Sequence, residues 1–121
     1  YARRHVAVAA RAAGVIALDA PFVAFQDTEA FEQNVREGRQ MGYEGRMIIH
    51  PSQIEPCNRL YAPDPADVEW AKGVVKTFEE EGIAKGKAAV SYNGKMVDTP
   101  VYLNAKDILA AQAEIDAKNA Q

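Results

Sequence analysis

The sequence predicts an α/β fold, and three observations carry that expectation. Val15-Ile16-Ala17-Leu18 and Arg46-Met47-Ile48-Ile49 hold short apolar runs, bounded by Gly14, Asp19 and His50. Runs of that length suit parallel strands buried on both faces. Around them lie longer segments whose apolar residues recur at helical spacing. Finally, Asn93-Gly94 separates two short strand-like runs, Ala88–Tyr92 and Lys95–Val97. Asn-Gly is the strongest short hairpin signal, because a type I′ turn needs positive φ at both central residues.

The elements follow in order. Ala2 to Ala13 is Ala-rich, with Val6, Ala9, Ala10 and Ala13 at helical spacing and Gly14 suited to close it. Arg3, Arg4 and Arg11 are expected on its wet side, and His5 is read as an ordinary helix residue. After the first strand, Asp19-Ala20-Pro21-Phe22 occupies the carboxyl end, where α/β folds bind ligands. Asp19 has two readings there, a loop-capping carboxylate and a ligand-facing one. Asp27 caps a helix over 28–41 with Phe31, Val35, Gly38 and Met41 on one face, and Gly42 ends it. Glu32 and Arg36 are spaced to pair on that helix.

The second strand runs into His50-Pro51-Ser52-Gln53-Ile54, again at a carboxyl end. His50 is a candidate base or ligand. Pro51 fixes φ beside it. That favours a shaped backbone that contacts a ligand, with the imidazole nitrogen holding a backbone carbonyl. Ile54 to Tyr61 reads as a short helix, with Pro56 tolerated in its first turn. Pro63-Asp64-Pro65 breaks it and caps the next helix, Pro65 to Glu81. That helix is expected to bury Val68, Ala71, Val75 and Phe78, with Trp70 and Val74 flanking the stripe. Glu79-Glu80-Glu81 opposes the helix dipole, so that end is expected to fray.

Gly82 to Lys87 reads as a polar linker, which divides the chain into 1–81 and 82–121. Beyond the hairpin, Asp98 or Thr99 caps a last helix whose first position is Pro100. Its apolar face carries Val101, Ala105, Ile108, Ala111 and Ile115, and the tail Lys118–Gln121 is expected to be disordered. Asp98 thus sits at a strand-to-helix corner, either as a cap alone or as a carboxylate with chemistry to do.

Composition narrows the function classes. The chain has 121 residues, 48% hydrophobic and 26% charged, with a net charge of −3. No run of Lys or Arg exceeds two, so nucleic-acid binding through a basic patch is not expected. The single cysteine, Cys57, allows no intrachain disulfide and suggests no cysteine-based zinc site. No apolar run is long enough to span a membrane. No signal peptide is visible, and a cytoplasmic location is expected. The chain opens at Tyr1 inside a helix, and two such strands need neighbours on both sides. The expectation is therefore a portion of a longer α/β protein.

Four motifs in series sharpen this. Leu18-Asp19-Ala20-Pro21-Phe22 with Phe25-Gln26-Asp27, then Gly45-Arg46-Met47-Ile48-Ile49-His50-Pro51-Ser52-Gln53-Ile54, then Tyr61-Ala62-Pro63 before a long helix, and finally Asn93-Gly94-Lys95-Met96-Val97-Asp98-Thr99-Pro100 stand in that order. Together they resemble the last third of the citrate lyase β-subunit and malyl-CoA lyase family. The resemblance implies the carboxyl-terminal part of a (β/α)₈ TIM barrel. The seventh and eighth strand–helix units would be followed by a hairpin–helix extension. It implies a carbon–carbon lyase that cleaves or forms a β-hydroxyacyl thioester, of malyl-CoA, citramalyl-CoA or citryl type, by Claisen-type chemistry. It also implies Mg²⁺ held by a Glu and an Asp on earlier strands, which leaves no metal ligand to name here.

On the same resemblance, Asp98 is the catalytic acid/base and acts in a neighbouring subunit. Asp19, Pro21, Ile49, His50 and Pro51 border the acyl-CoA, and the partners are the remainder of the barrel and further copies in a trimer or hexamer. Ala20 stands where the family usually has Gly, and Ala24 where an acidic residue is common, which bears on substrate choice. Two other readings are a non-catalytic oligomerisation arm and a pyruvate-dependent 2-keto-3-deoxy-acid aldolase relative. The hairpin with Asp98 argues against the latter.

Overall fold

A computed structural model describes all residues, 1–121. The chain forms two units, Tyr1–Tyr61 and Ala62–Gln121.

In the first unit, helix α1 (Ala2–Ala12) is followed by Gly14 at φ +67°. Its buried residue is Ala7, which packs with Ala10 against Ala17 and Tyr43. Residues 3, 7 and 10 share one helix face. Arg3 therefore turns inward, not to the wet side that the sequence suggested, and the Tyr43 hydroxyl donates to its carbonyl at 2.8 Å. An all-alanine buried face carries no bulky residue to mark it.

Strand β1 is Leu18–Asp19 and strand β2 is Gly45–Arg46, each shorter and shifted from the apolar runs expected. They pair in parallel, Leu18 beside Gly45 and Asp19 beside Arg46. The ladder exists only where the segments run alongside, from Glu44 N–H to the Ala17 carbonyl through Met47 N–H to the Asp19 carbonyl. Val15, Ile16, Leu18, Met47 and Ile49 stay exposed. Helix α2 (Thr28–Met41) starts where the Asp27 carboxylate accepts from the Ala30 N–H at 3.0 Å and ends at Gly42, φ +99°. It buries Phe31, Val35 and Gly38. Helix α3 (Ile54–Tyr61) follows a single 3₁₀ turn, Pro51–Gln53. Arg59 of α3 reaches Glu32 of α2 at 2.7 Å beside the expected Glu32–Arg36 pair.

In the second unit, Asp64 caps helix α4 (Pro65–Thr77) by accepting from the Ala66 N–H. Ala71, Val74 and Phe78 are buried. Val74 belongs to the core, not to its flank. The helical path does not fray at Glu81. From Phe78 to Ile83 it widens into a π-helix, Glu79 accepts from the Tyr102 hydroxyl at 2.8 Å, and Gly82 packs close to Phe78 and Val90. The second unit begins at Ala62, and within it the buried face of α4 is filled by Val90, Val97 and Ala105.

Strands β3 (Ala89–Tyr92) and β4 (Lys95–Asp98) form the expected hairpin, with Asn93 at φ +50° and Gly94 at φ +75°. Val90 faces Val97 across the ladder and both are buried. Met96 is 71% exposed. It neighbours Val97 in one strand, and successive side chains point to opposite faces. Helix α5 (Thr99–Asn119) continues through Lys118 where disorder was expected. No helix is long and apolar enough to cross a membrane.

Candidate active-site loops

Asp19 and Arg46 are register partners at the ends of adjacent parallel strands, so their side chains leave the same face. That face is covered by α1 and α2. Arg3 donates to both Asp19 oxygens, at 3.1 and 2.5 Å, and Arg46 adds a contact at 3.2 Å. The Ala20 N–H donates to Asp19 Oδ1 at 2.9 Å. Asn34 Oδ1 accepts from Arg46 at 2.7 Å, and the Arg46 guanidinium lies 5.4 Å over the Phe31 ring. Asp19 is 3% exposed and the Arg46 side chain 2%. Burial alone pushes the Asp19 carboxyl up. The hydrogen bonds from Arg3 and Ala20 and the charges of both arginines outweigh it and hold the carboxyl below the usual carboxylate range. Of the two readings open for Asp19, the geometry is that of the loop-capping carboxylate. Its oxygens are engaged by Arg3, Arg46 and the Ala20 N–H at the wall of the cleft beside Pro21.

Pro21 is exposed on the loop that Asp19 anchors. Together with Leu18, Phe22 and Met47 it lines an open cleft of about 530 Å³. Ile49, His50 and Pro51 are exposed on the loop after β2. His50 Nδ1 accepts from the Ser52 N–H at 3.2 Å and lies 2.8 Å from its hydroxyl, so the imidazole caps the 3₁₀ turn. Phe25 stacks on the imidazole at 4.5 Å. With Nδ1 held as an acceptor, the ring shapes the loop through a backbone N–H, where the sequence suggested a backbone carbonyl.

The residue that joins the two loops was not singled out from the sequence. Gln53 is 1% exposed. Its Oε1 accepts from the Ile49 N–H at 3.0 Å and its Nε2 donates to the Phe22 carbonyl at 2.9 Å. Arg3, Asn34 and Arg46 also went unremarked as site-building residues. The one sequence signal for Gln53 is a long polar side chain between a strand end and the apolar start of a helix.

Asp98 lies in the second unit, the other five candidates in the first. Its Oδ1 accepts from the Val101 N–H at 3.2 Å, which makes it the cap of α5. It is half-buried and takes part in none of the salt bridges. Its buried neighbour Val97 packs on α4 and α5 of the same chain, so the hairpin alone is not a free arm. No three His, Cys, Asp or Glu side chains converge, and Asp19 is taken by two guanidiniums. The residues present do not fit a magnesium site.

The model of the HpcH/HpaI aldolase/citrate lyase family matches residues 1–51. Citrate lyase subunit beta of Leuconostoc mesenteroides subsp. cremoris is 39% identical over 109 residues, covering 90% of this chain and 36% of that protein. Mitochondrial citramalyl-CoA lyase of Mus musculus is 33% identical over 118 residues, 98% of this chain and 35% of that protein. The chain thus spans about a third of the length of the curated relatives it matches. A crystal structure of CitE from Mycobacterium tuberculosis in complex with magnesium, acetoacetate and coenzyme A superposes with a TM-score of 0.75 at 31% identity, over 90% of this chain and 39% of that one. By these matches, the chain belongs to the HpcH/HpaI aldolase/citrate lyase family.

Proposed function

We propose that this chain is the carboxyl-terminal part of a (β/α)₈-barrel carbon–carbon lyase acting on a β-hydroxyacyl-CoA of malyl-CoA, citramalyl-CoA or citryl type. The observation that carries the reading is the pair of loops at the carboxyl ends of two parallel strands, held side by side by Gln53 and by the Phe25–His50 stack. That is where such folds place their chemistry. The likeness to a CitE structure holding magnesium, acetoacetate and coenzyme A supports the same class of ligand. Magnesium dependence is part of the proposal, although the chain supplies no ligand set for it.

The chain's own residues have the following roles. The backbones around Pro21 and Ile49–Pro51 border the thioester and exclude water from one side. His50 keeps its loop in shape. Breaking the carbon–carbon bond sends its electron pair to the α-carbon of the thioester as an enolate, while the hydroxyl of the other half becomes a carbonyl and loses its proton. The enolate must then be protonated at carbon. A positioned carboxyl group contributes roughly 10²–10⁴-fold in such a transfer. Asp98 is the group assigned to it, delivered into the site of a neighbouring subunit in a homo-oligomer. Capping α5 occupies one of its two oxygens and leaves the other for this role.

The test is turnover by the whole protein, supplied with magnesium and each of the three thioesters, followed by release of the shorter acyl-CoA and the keto acid. Cleavage of at least one is expected. No turnover of any β-hydroxyacyl thioester, together with release of pyruvate from a 2-keto-3-deoxy acid, would overturn the proposal in favour of the aldolase reading.

A further inference from the structure

We propose that Gln53 is a positioning residue that couples the two carboxyl-end loops, so that they present one surface to the acyl-CoA. The inference rests on the function proposed above for these loops. The side chain is buried to 1% exposure, and both ends of its amide are engaged. One end meets a donor, the Ile49 N–H, and the other an acceptor, the Phe22 carbonyl. Those partners assign the amide orientation, since a flipped amide would set NH₂ against N–H and oxygen against oxygen. The residues joined are 31 apart in sequence and belong to different loops.

Two features give the amide this reach. The Gln53 N–H donates to the His50 carbonyl at 3.0 Å, and His50 Nδ1 holds the Ser52 N–H, so the turn is closed and the side chain emerges in a fixed direction. The Phe25–His50 stack, with centroids 4.5 Å apart and planes 16° apart, adds a second tie between the same loops. Glutamate fits the same space, but it can donate to the Phe22 carbonyl only when protonated. Burial raises a carboxyl's pKa, so that variant carries its own pH switch. Leucine approximates the volume and makes neither bond.

The experiment uses the whole protein and Gln53→Leu and Gln53→Glu variants. Coenzyme A affinity is measured by titration calorimetry, KM and kcat from turnover, and backbone protection by hydrogen exchange. Gln53→Leu is expected to weaken coenzyme A binding and raise KM roughly 10- to 100-fold, with a smaller change in kcat, since displacement of a positioning element costs up to that much. Residues 20–25 and 47–53 should lose protection together. For Gln53→Glu, the ratio of its KM to the wild-type KM should rise with pH as the buried carboxyl ionises.

If both variants only lower the unfolding midpoint, with KM and coenzyme A affinity as in wild type, the positioning role is overturned. Loss of protection in residues 47–53 alone would overturn the coupling. A wild-type protein that does not bind coenzyme A refutes the functional reading of the loops and, with it, the positioning of an acyl-CoA. Hydrogen exchange would still decide whether the loops are coupled.

Discussion

Asp19 and Asp98 are both aspartates at the end of a strand, and their surroundings could hardly differ more. Asp19 is buried, shared by two guanidiniums and bonded to the next backbone N–H. Asp98 is half-buried, forms no salt bridge and uses one oxygen to cap a helix. A carboxylate whose acceptor sites are filled by fixed cations serves architecture. A carboxylate with an unclaimed oxygen remains available for proton transfer. Position at a strand's carboxyl end therefore nominates a residue for chemistry, and the charges around it decide whether it can serve.

The contrast breaks most visibly on substitution. Asp19→Asn leaves two guanidiniums without their anion, so in the whole protein it is expected to cost about 3–5 kcal/mol, measured by urea unfolding. A cost under about 1 kcal/mol would make the cluster a surface-like pair. The same residue sets a pH dependence. Its folded pKa is depressed, so its stabilisation is fully present above the unfolded carboxylate value of about 3.9 and is lost as pH falls through the lower folded value. Acid unfolding below about pH 4 should be less steep in Asp19→Asn than in wild type.

Gly38→Ala is the next largest. A methyl group there would stand 2.5 Å from Asp19 Oδ2 and 3.0 Å from Arg3, inside a buried cluster that cannot step aside. Overpacking of this kind costs about 1–3 kcal/mol. In a double-mutant cycle with Asp19→Asn the two costs should fail to add, because they act on one cluster. Additive costs would show that Gly38 matters for another reason. Asp98→Ala removes a cap and should lower stability by about 1 kcal/mol, read from the unfolding midpoint.

How much of this was legible in the sequence depends on the range of the interaction. Asp27, Asp64 and Asp98 cap helices as expected, and Gly42, Asn93 and Gly94 take positive φ, because each of these is decided within a few residues. Arg3, Arg46 and Gln53 were missed because Asp19, which the first two hold, and Phe22, which the third holds, lie 16 to 31 residues away from them. The strand bounds shifted because pairing, not apolarity, defines a ladder, and the runs beside it lie exposed. Met96 lies exposed opposite Val97, as strand alternation requires. At the second loop, a rigid His50 was legible from Pro51, while the main-chain group its ring holds was not. The tie between the loops was not, since nothing in the spacing of Phe22 and Gln53 brings them together.

The account turns on Asp98 as a group that does chemistry while Asp19 does not. Asp98→Asn keeps the cap and the shape, so its stability should stay within about 0.5 kcal/mol of wild type, the smallest effect in the series. Its kcat with the preferred thioester should nonetheless fall at least roughly 10²-fold with little change in KM. In mixed oligomers with subunits inactivated elsewhere in the site, part of that activity should return. A kcat close to wild type for Asp98→Asn would contradict the account and leave Asp98 as a helix cap alone.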